Sequence, residues 1–413
     1  MSIDHVAKHH TLTACPVCTS TNLRILEPAS DMQAFITSGE VFTFHMGLSA
    51  CNSCGFIFVN PRATQEELTH YYGLQARKPR AYANLDKPFA DLLDFQATFV
   101  KKCWSAEGPQ RILDVGSAEG FFLKRLAAEC TEPPQLEGVE PGSVYAATAR
   151  ELLPDAVIHE QVLEESDLPA QSYDLVTLRH VLEHLVEPVV ALTIIHRLLQ
   201  PSGLLHVEVP DVTAIPANLS PFIHHEHMNS FTPATLRLAI ERSGFEVLVH
   251  ESAQDNPVGS GFSYPIQRVL ARLAPAGTVP PAPSGIPDVD AIYGGYAERQ
   301  QAFLQNRIAP TKDRLLELAE QGKNIAIFGA GPHSFDFFRT LKLPASIFRL
   351  ALDNNPHKVG KHMLGLEIVR PTPESVAGLD AILVSSAEFE DAMVDQIVSF
   401  DLPNIEVLRL YER

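Results

Sequence analysis

Two pairs of cysteines, Cys15-Pro-Val-Cys18 and Cys51-Asn-Ser-Cys54, carry the sharpest chemical signal in this chain. Thiolates two residues apart can close on one ion because the backbone between them turns in a tight knuckle. Two knuckles complete the tetrahedral shell of a zinc. Pro16 stiffens the first turn, and Gly55, without a Cβ, eases the exit from the second. Four sulfurs leave no open coordination position, so the expected zinc is structural. Disulfides or a redox dithiol are the other uses of such pairs. Six cysteines in 413 residues do not resemble a disulfide scaffold, and doubled Cys-x-x-Cys units in a reducing compartment more often hold metal. Cys103 and Cys130 fall in helix-like stretches and read as packing residues.

The second signal is a glycine turn, Leu113-Asp114-Val115-Gly116-Ser117-Ala118-Glu119-Gly120. After an apolar strand, Gly116 and Gly120 allow a turn tight enough for a ligand to approach the backbone. Glu140, twenty residues past Gly120, ends the next strand candidate, where a carboxylate can accept both hydroxyls of a ribose. A purely structural turn is the alternative for the glycines alone. Dinucleotide enzymes place Gly-x-Gly-x-x-Gly here to seat a pyrophosphate. This loop instead has Asp114 two residues before its first glycine, which suits a ligand carrying an ammonium group and no phosphate. S-adenosylmethionine is such a ligand.

The third is a run of proton-transfer groups, His224-His225-Glu226-His227, in the segment Pro221 to Phe231. Histidine titrates near neutrality, so His227 or His225 can take a proton from a substrate while Glu226 orients it. Histidine and glutamate also bind metal. Neighbouring residues point in different directions, however, and the sequence offers no matching ligand set elsewhere. Proton transfer is therefore the expected role, against a solvated polar loop as the plain alternative.

The elements that must position these groups alternate strand and helix from Arg111 onward. Strand candidates are 111–115, 136–139, 156–158, 173–178 and 203–209. Helical spacing separates them over 121–130, 143–153 and 189–199, with another helix over 89–104. Such alternation predicts a parallel sheet with helices on both faces. Candidates 245–250 and 259–266 are expected to close it as an antiparallel pair. Residues 1–12 read as a disordered start. The Pro-, Ala- and Gly-rich stretch 271–289 reads as a linker before a polar helix over 296–321. A second strand and glycine loop begins at Asn324 and runs through Gly329-Ala330-Gly331, with Asp353 near the end of its next strand. Ser334 stands where a third glycine belongs, and Pro332 removes a backbone donor, so the loop departs from the pattern that binds NAD. The expected domains are a zinc-binding module over 13–75, an α/β domain carrying the first glycine turn over 80–266, a linker and helix over 267–320 and a second, Rossmann-like α/β domain over 321–413.

The chain is 45% hydrophobic and 20% charged, with a net charge of −18. That surface repels a phosphate backbone, and no basic cluster offsets it, so nucleic acid is excluded as the expected partner. No apolar run approaches a membrane span, and the first ten residues lack a signal core, so the expectation is a cytoplasmic protein.

Asp114-Val-Gly-Ser-Ala-Glu-Gly120, Tyr173-Asp-Leu-Val176, Val181-Leu-Glu-His-Leu185 and Leu198-Leu-Gln-Pro-Ser-Gly203 together resemble the class I S-adenosylmethionine-dependent methyltransferases. By position, the resemblance implies that Asp114, Gly116, Ser117 and Gly120 hold the methionyl part and Glu140 the ribose. It likewise implies that Val162 and Leu163 flank the adenine and that Arg179 and His180 line the cleft. With the four cysteines, Glu226-His227 and the C-terminal α/β region, nearly the whole chain resembles the zinc-containing sugar C-methyltransferases, which act on nucleotide-linked keto-sugars. In that family the histidine segment reads Tyr-His-Glu-His. Here His224 takes the tyrosine's place, while Glu226 and His227 match. The implied fold class is α/β: a doubly wound methyltransferase sheet with an N-terminal zinc-binding module and a second, C-terminal Rossmann-like domain. The implied cofactors are S-adenosylmethionine and structural Zn2+, and the implied acceptor is a small molecule of the nucleotide-sugar kind. An O- or N-methyltransferase on the same core, and a nucleotide-binding protein that no longer turns over, are the alternatives.

Overall fold

The structure is a computed structural model, and it describes residues 4–35, 41–74, 87–104, 108–215, 226–255, 264–356, 358–386, 389–402 and 404–411. The histidines at 224 and 225, and the strand expected to begin at Gly259, lie outside the described residues up to 225 and 263 respectively. The chain divides into two compact units. One comprises Met1–Ile215, Ile223–Gly259 and Ser263–Ile292; the other is mainly Tyr293–Arg413.

The first unit holds a seven-stranded sheet. In chain order its strands are Arg111–Val115, Gln135–Val139, Val157–His159, Tyr173–Arg179, Leu199–Pro210, Phe245–Asp255 and Tyr264–Leu273. Across the sheet these run sixth, seventh, fifth, fourth, first, second, third. The first five are parallel, the seventh runs antiparallel to the fifth, and the sixth antiparallel to the seventh. The central strands are apolar on both faces (Ile112, Leu113 and Val115 in the first; Leu175, Val176 and Leu178 in the fourth) because helices cover both sides. Helix Pro188–Leu198 shows the pattern: Pro188 presets its first turn, and Ala191, Leu192, Ile195 and Leu198 form its buried stripe. Helix Pro233–Arg242 starts at a capping box in which Thr232 and Thr235 bond each other's backbone N–H. The order of strands reverses between the first and the fourth, and ligands gather beyond the carboxyl ends of strands at such a point.

The cysteine pairs belong to a smaller sheet in the same unit. Its long hairpin, Leu23–Phe35 against Val41–Cys51, continues through Ile57–Val59 to a two-residue strand, Asn229–Ser230. That last strand comes from the segment carrying Glu226 and His227. Phe56 and Phe58, together with Cys15, Cys51 and Cys54, share one apolar cluster with Leu113, Val115 and Leu178 of the large sheet.

Residues 4–12 are not the disordered start expected from their composition. Asp4–Val6 pairs with the 41–43 end of the hairpin, His9–His10 pairs with Arg62–Ala63, and Ala7 is buried. A free strand edge and the His5–Glu67 ion pair at 2.5 Å supply partners that short-range pattern cannot reveal. The stretch expected to be a linker from 271 begins three residues later, since the seventh strand runs to Leu273. The helix expected from 296 begins at Val289. It is interrupted by a π-helical turn, Leu304–Ile308, just before Pro310, whose missing N–H breaks the regular ladder.

The second unit contains a six-stranded sheet. Ile325–Phe328, Leu350–Leu352, Leu366–Val369, Ala381–Val384 and Glu406–Leu408 are parallel, and His362–Met363 is an antiparallel edge. Among the described residues no helix is long and apolar enough to cross a membrane.

Candidate active site

Beyond the end of the first strand the chain turns at Gly116 and Gly120, whose φ angles are +70° and +79°. A Cβ on Gly116 would sit 2.3 Å from Cγ2 of Val181, so glycine is required there twice over, by conformation and by space. The N–H groups of Gly116 and Ser117 both donate to the carbonyl of Val139, and Gly120 N–H donates to Ser117. Gly120 then caps helix Phe121–Ala127. Glu140 is buried at the end of the second strand. Its Oε1 accepts from Gly142 N–H at 2.7 Å and its Oε2 from Ala118 N–H at 3.0 Å. Burial pushes its carboxyl above the usual range, and these two amides pull the other way. Asp114 is buried too and accepts from the Thr177 hydroxyl at 2.5 Å. Burial raises its carboxyl against the pull of Arg179 and Thr177.

These residues fit S-adenosylmethionine. The buried Ser117 hydroxyl has no hydrogen-bond partner among the described residues, which leaves it for a ligand. Two backbone amides fix the Glu140 carboxylate, and each of its oxygens keeps a lone pair for a ribose hydroxyl. A cation beside Asp114 would favour the ionised form that burial disfavours. Val162 and Leu163 are buried at the short turn after the third strand, and Leu163 joins the cluster of Leu113 and Val115. Arg179 ends the fourth strand, lies 3.8 Å over the Phe122 ring and bonds Gln96. His180, at φ +52°, brings Nδ1 to 3.4 Å from Glu183 Oε1 and Nε2 to 3.5 Å from buried Glu208. Burial notwithstanding, His180 and Arg268 hold Glu208 below the usual carboxylate range.

A second set of groups converges next to this turn, and the sequence named only part of it. Tyr71 Oη donates to Glu226 Oε1 at 3.1 Å. His184 Nδ1 lies 2.9 Å from the Glu226 carbonyl and 3.3 Å from Tyr72 Oη. The His184 and His227 rings meet edge to face with centroids 4.8 Å apart. Glu183 is buried, with Oε1 3.8 Å from His184 Nε2. Tyr71, Tyr72, Glu183 and His184 were missed as site residues. The two tyrosines sit on helix Gln65–Leu74, more than a hundred residues from their partners. Glu183 and His184 were read only within Val181-Leu-Glu-His-Leu185, one of the motifs that carry the methyltransferase resemblance.

Arg62, fully buried, ties the array together. Its guanidinium donates to the carbonyls of Val59 (2.9 Å), Val186 (2.7 Å) and Met228 (3.3 Å), spanning the cysteine sheet and both segments of the array. The side-chain amide of Asn229 donates to the carbonyls of Leu182 and Leu185 at 3.2 and 2.6 Å. Thus the loop touching Gly116 through Val181 is the same loop that presents Glu183 and His184.

The four cysteines come together as expected. Cys15 and Cys54 sulfurs are 3.7 Å apart, Cys18 and Cys51 sulfurs 3.5 Å, and all four lie within 4.8 Å of one another. None is disulfide-bonded. Sulfurs at ~2.3 Å around a tetrahedral zinc stand about 3.8 Å apart, so the cage fits that ion. The Cys54 thiol, with the amides of Cys18 and Val17 that point at Cys15 Sγ, holds the Cys15 thiol below its usual range, against its burial. Cys103 and Cys130 pack at the edge of a separate apolar cluster.

In the second unit Asp353 accepts from Ala330 N–H, Asn355 N–H and Lys358 Nζ at 3.0, 2.8 and 2.9 Å. Unlike the Glu140 oxygens, which accept one amide each, Asp353 Oδ2 already accepts two donors, one of them the Lys358 ammonium.

No curated protein matches the chain. Solved structures similar to it include the [4+2]-cyclase SpnF, at 16% identity over 52% of this chain and 98% of that one, with a TM-score of 0.42. An S-adenosylmethionine-dependent methyltransferase from Mesorhizobium loti is 20% identical over 44% and 99%, TM-score 0.35. One from Aquifex aeolicus is 18% identical over 46% and 94%, TM-score 0.35. A family model described as a methyltransferase domain matches residues 83–250, the span that holds the glycine turn, Glu140 and the Glu183–His184 and Glu226–His227 segments. Over those residues, then, the chain carries a methyltransferase domain.

Proposed function

We propose that the protein methylates a small acceptor at a carbon beside a carbonyl, as in a nucleotide-linked keto-sugar, and that its four cysteines hold a structural zinc. Bound at the glycine turn, S-adenosylmethionine would supply an electrophilic methyl group on a sulfonium. Asp114 and Ser117 hold its methionyl part, Glu140 its ribose, and Val162 and Leu163 flank its adenine. Arg179 and His180 line the cleft. The observation that carries the reading is the convergence of Tyr71, Tyr72, Glu183, His184, Glu226 and His227 against the loop that touches Gly116. This many proton-transfer groups in one place exceeds what holding a preformed nucleophile requires.

His227 is the group assigned to take the proton, with His224 and His225 preceding it in the chain. Glu226, held by Tyr71, sets its orientation. The chain just past the cysteine sheet contributes the anchor Arg62 and, on helix Gln65–Leu74, Tyr71 and Tyr72, so the expected zinc acts on the site through position, not through chemistry. The C-terminal sheet, with Asp353 already engaged, is read as a Rossmann-like domain without a redox cofactor.

The test is calorimetry with S-adenosylhomocysteine, followed by turnover on nucleotide-linked keto-sugars with products resolved by mass and NMR. Glu140→Ala removes charged acceptors of the ribose. It should weaken binding by at least about 1.5 kcal/mol, roughly tenfold. His227→Ala should bind the product as wild type does and lose turnover. A wild-type protein without affinity for S-adenosylhomocysteine overturns the reading, and a new methyl found on oxygen or nitrogen overturns the acceptor assignment.

A further inference from the structure

Glu183 poses a question that methyl transfer alone leaves open. Its side chain is 2% exposed, yet neither carboxylate oxygen accepts a hydrogen bond among the described residues. A buried carboxylate without donors is costly unless something positive faces it. The groups facing it are His180 Nδ1, 3.4 Å from Oε1, and His184 Nε2, 3.8 Å away. The other nitrogen of the His184 ring, Nδ1, is 2.9 Å from the Glu226 carbonyl, which can only accept, so Nδ1 carries the proton. In the neutral ring Nε2 then presents a lone pair. A lone pair and a carboxylate thus point at one another with nothing donated between them. His227 completes a triangle: one ligand atom each from Glu183, His184 and His227 lie within 4.8 Å of one another.

We infer that Glu183, His184 and His227 form a second cation site, distinct from the cysteine cage, for a divalent first-row ion such as Zn2+, Mn2+ or Fe2+. Two imidazoles and one carboxylate match the preferences of these ions and leave coordination positions open. Ligands at ~2.1 Å around a tetrahedral centre stand about 3.4 Å apart, a few tenths of an ångström closer than His184 Nε2 and Glu183 Oε1 stand here. The Glu226 carbonyl plays the outer role that metal-bound imidazoles require: it fixes tautomer and ring orientation. The inference rests on the methyl-transfer reading for its chemistry. There the open positions would take an oxygen of the acceptor, a carbonyl or its enolate, and lower the cost of removing the neighbouring proton. With the ion bound, His227 is a ligand instead of the base assigned above, and the proton-accepting role passes to Glu226, held by Tyr71.

The experiment uses full-length protein with its cysteine cage filled by zinc. Co2+ is titrated in by calorimetry with the visible spectrum recorded. The expected result is one additional equivalent per chain, showing ligand-field absorption without the thiolate charge-transfer band that cobalt in the cysteine cage would give. Glu183→Gln, an uncharged isostere, and His227→Ala should each weaken that binding at least tenfold. Should Glu183→Gln fail to fold, His227→Ala carries the test. No second equivalent, a second equivalent with thiolate character, or unchanged affinity in the variants overturns the site. S-adenosylhomocysteine binding measured on the same samples separates the two ideas: product affinity without a second cation removes only the ion. Absent product affinity removes the methyl-transfer reading instead.

Discussion

Gly116→Ala tests whether the cofactor turn and the acceptor array are one mechanical object. The substitution incurs two separable costs. At φ +70° an alanine sits in the left-handed region, which costs roughly 1–2 kcal/mol for a residue with a Cβ. The new methyl would also lie 2.3 Å from Val181 Cγ2, more than an ångström inside contact distance, and overpacking of this kind costs about 1–3 kcal/mol. Val181 is β-branched and stiff, so relief must come from moving the loop that carries Glu183 and His184. The expected destabilisation is about 2–5 kcal/mol by urea unfolding, with weakened S-adenosylhomocysteine binding and a larger loss of turnover. Val181→Ala removes the clashing methyl but not the backbone penalty. The double variant should therefore recover the steric part, a coupling of about 1–3 kcal/mol in a double-mutant cycle. Strict additivity of the two substitutions would refute the reasoning, because it would mean that the glycine turn and the Val181 loop do not touch.

Arg62→Met keeps much of the volume but withdraws every donor from the carbonyls of Val59, Val186 and Met228. The expected loss is about 2–5 kcal/mol of stability, with turnover falling further than product affinity, since Arg62 braces the array and not the cofactor turn. Wild-type unfolding of that variant would show that the brace is idle. His206, buried between Phe99 and Phe122, has its pKa lowered to about 3, chiefly by burial. The folded chain keeps it neutral while the unfolded chain protonates it below about 6.5. Stability is therefore lost as pH falls from about 6.5 toward 3, at up to ~1.4 kcal/mol per pH unit. His206→Phe should remove that slope, so urea midpoints of variant and wild type diverge increasingly on acidification. Parallel midpoints down to pH 5 would contradict the assignment.

The elements were legible in the sequence wherever a local rule governs them. The strand 111–115 was read at its observed bounds because a fully buried parallel strand is a short apolar run ended by glycine. Helix 143–153 differs by one residue at its end. The antiparallel closing pair was expected, but the sixth and seventh strands run on to Asp255 and Leu273. Their pairing with each other and with the fifth strand extends them past their own apolar pattern. The strands at 4–6 and 9–10 were not legible, since what holds them is an edge supplied by residues 41–43 and 62–63.

By itself the sequence determined the ligand chemistry set by spacing: four thiols in two knuckles, and a glycine turn flanked by Asp114 and Glu140. Those signals depend on neighbours in the chain, so the chain alone displays them. Only the tertiary structure decided that Asn229–Ser230 joins the cysteine sheet, that Arg62 binds carbonyls on three segments, and that Tyr71 and Tyr72 reach Glu226 and His184. It also decided that His227 comes within reach of Glu183 and His184, more than forty positions earlier in the chain. Contacts of this kind join residues scores of positions apart. They arise from packing one apolar core beneath two sheets, and no short-range periodicity records them.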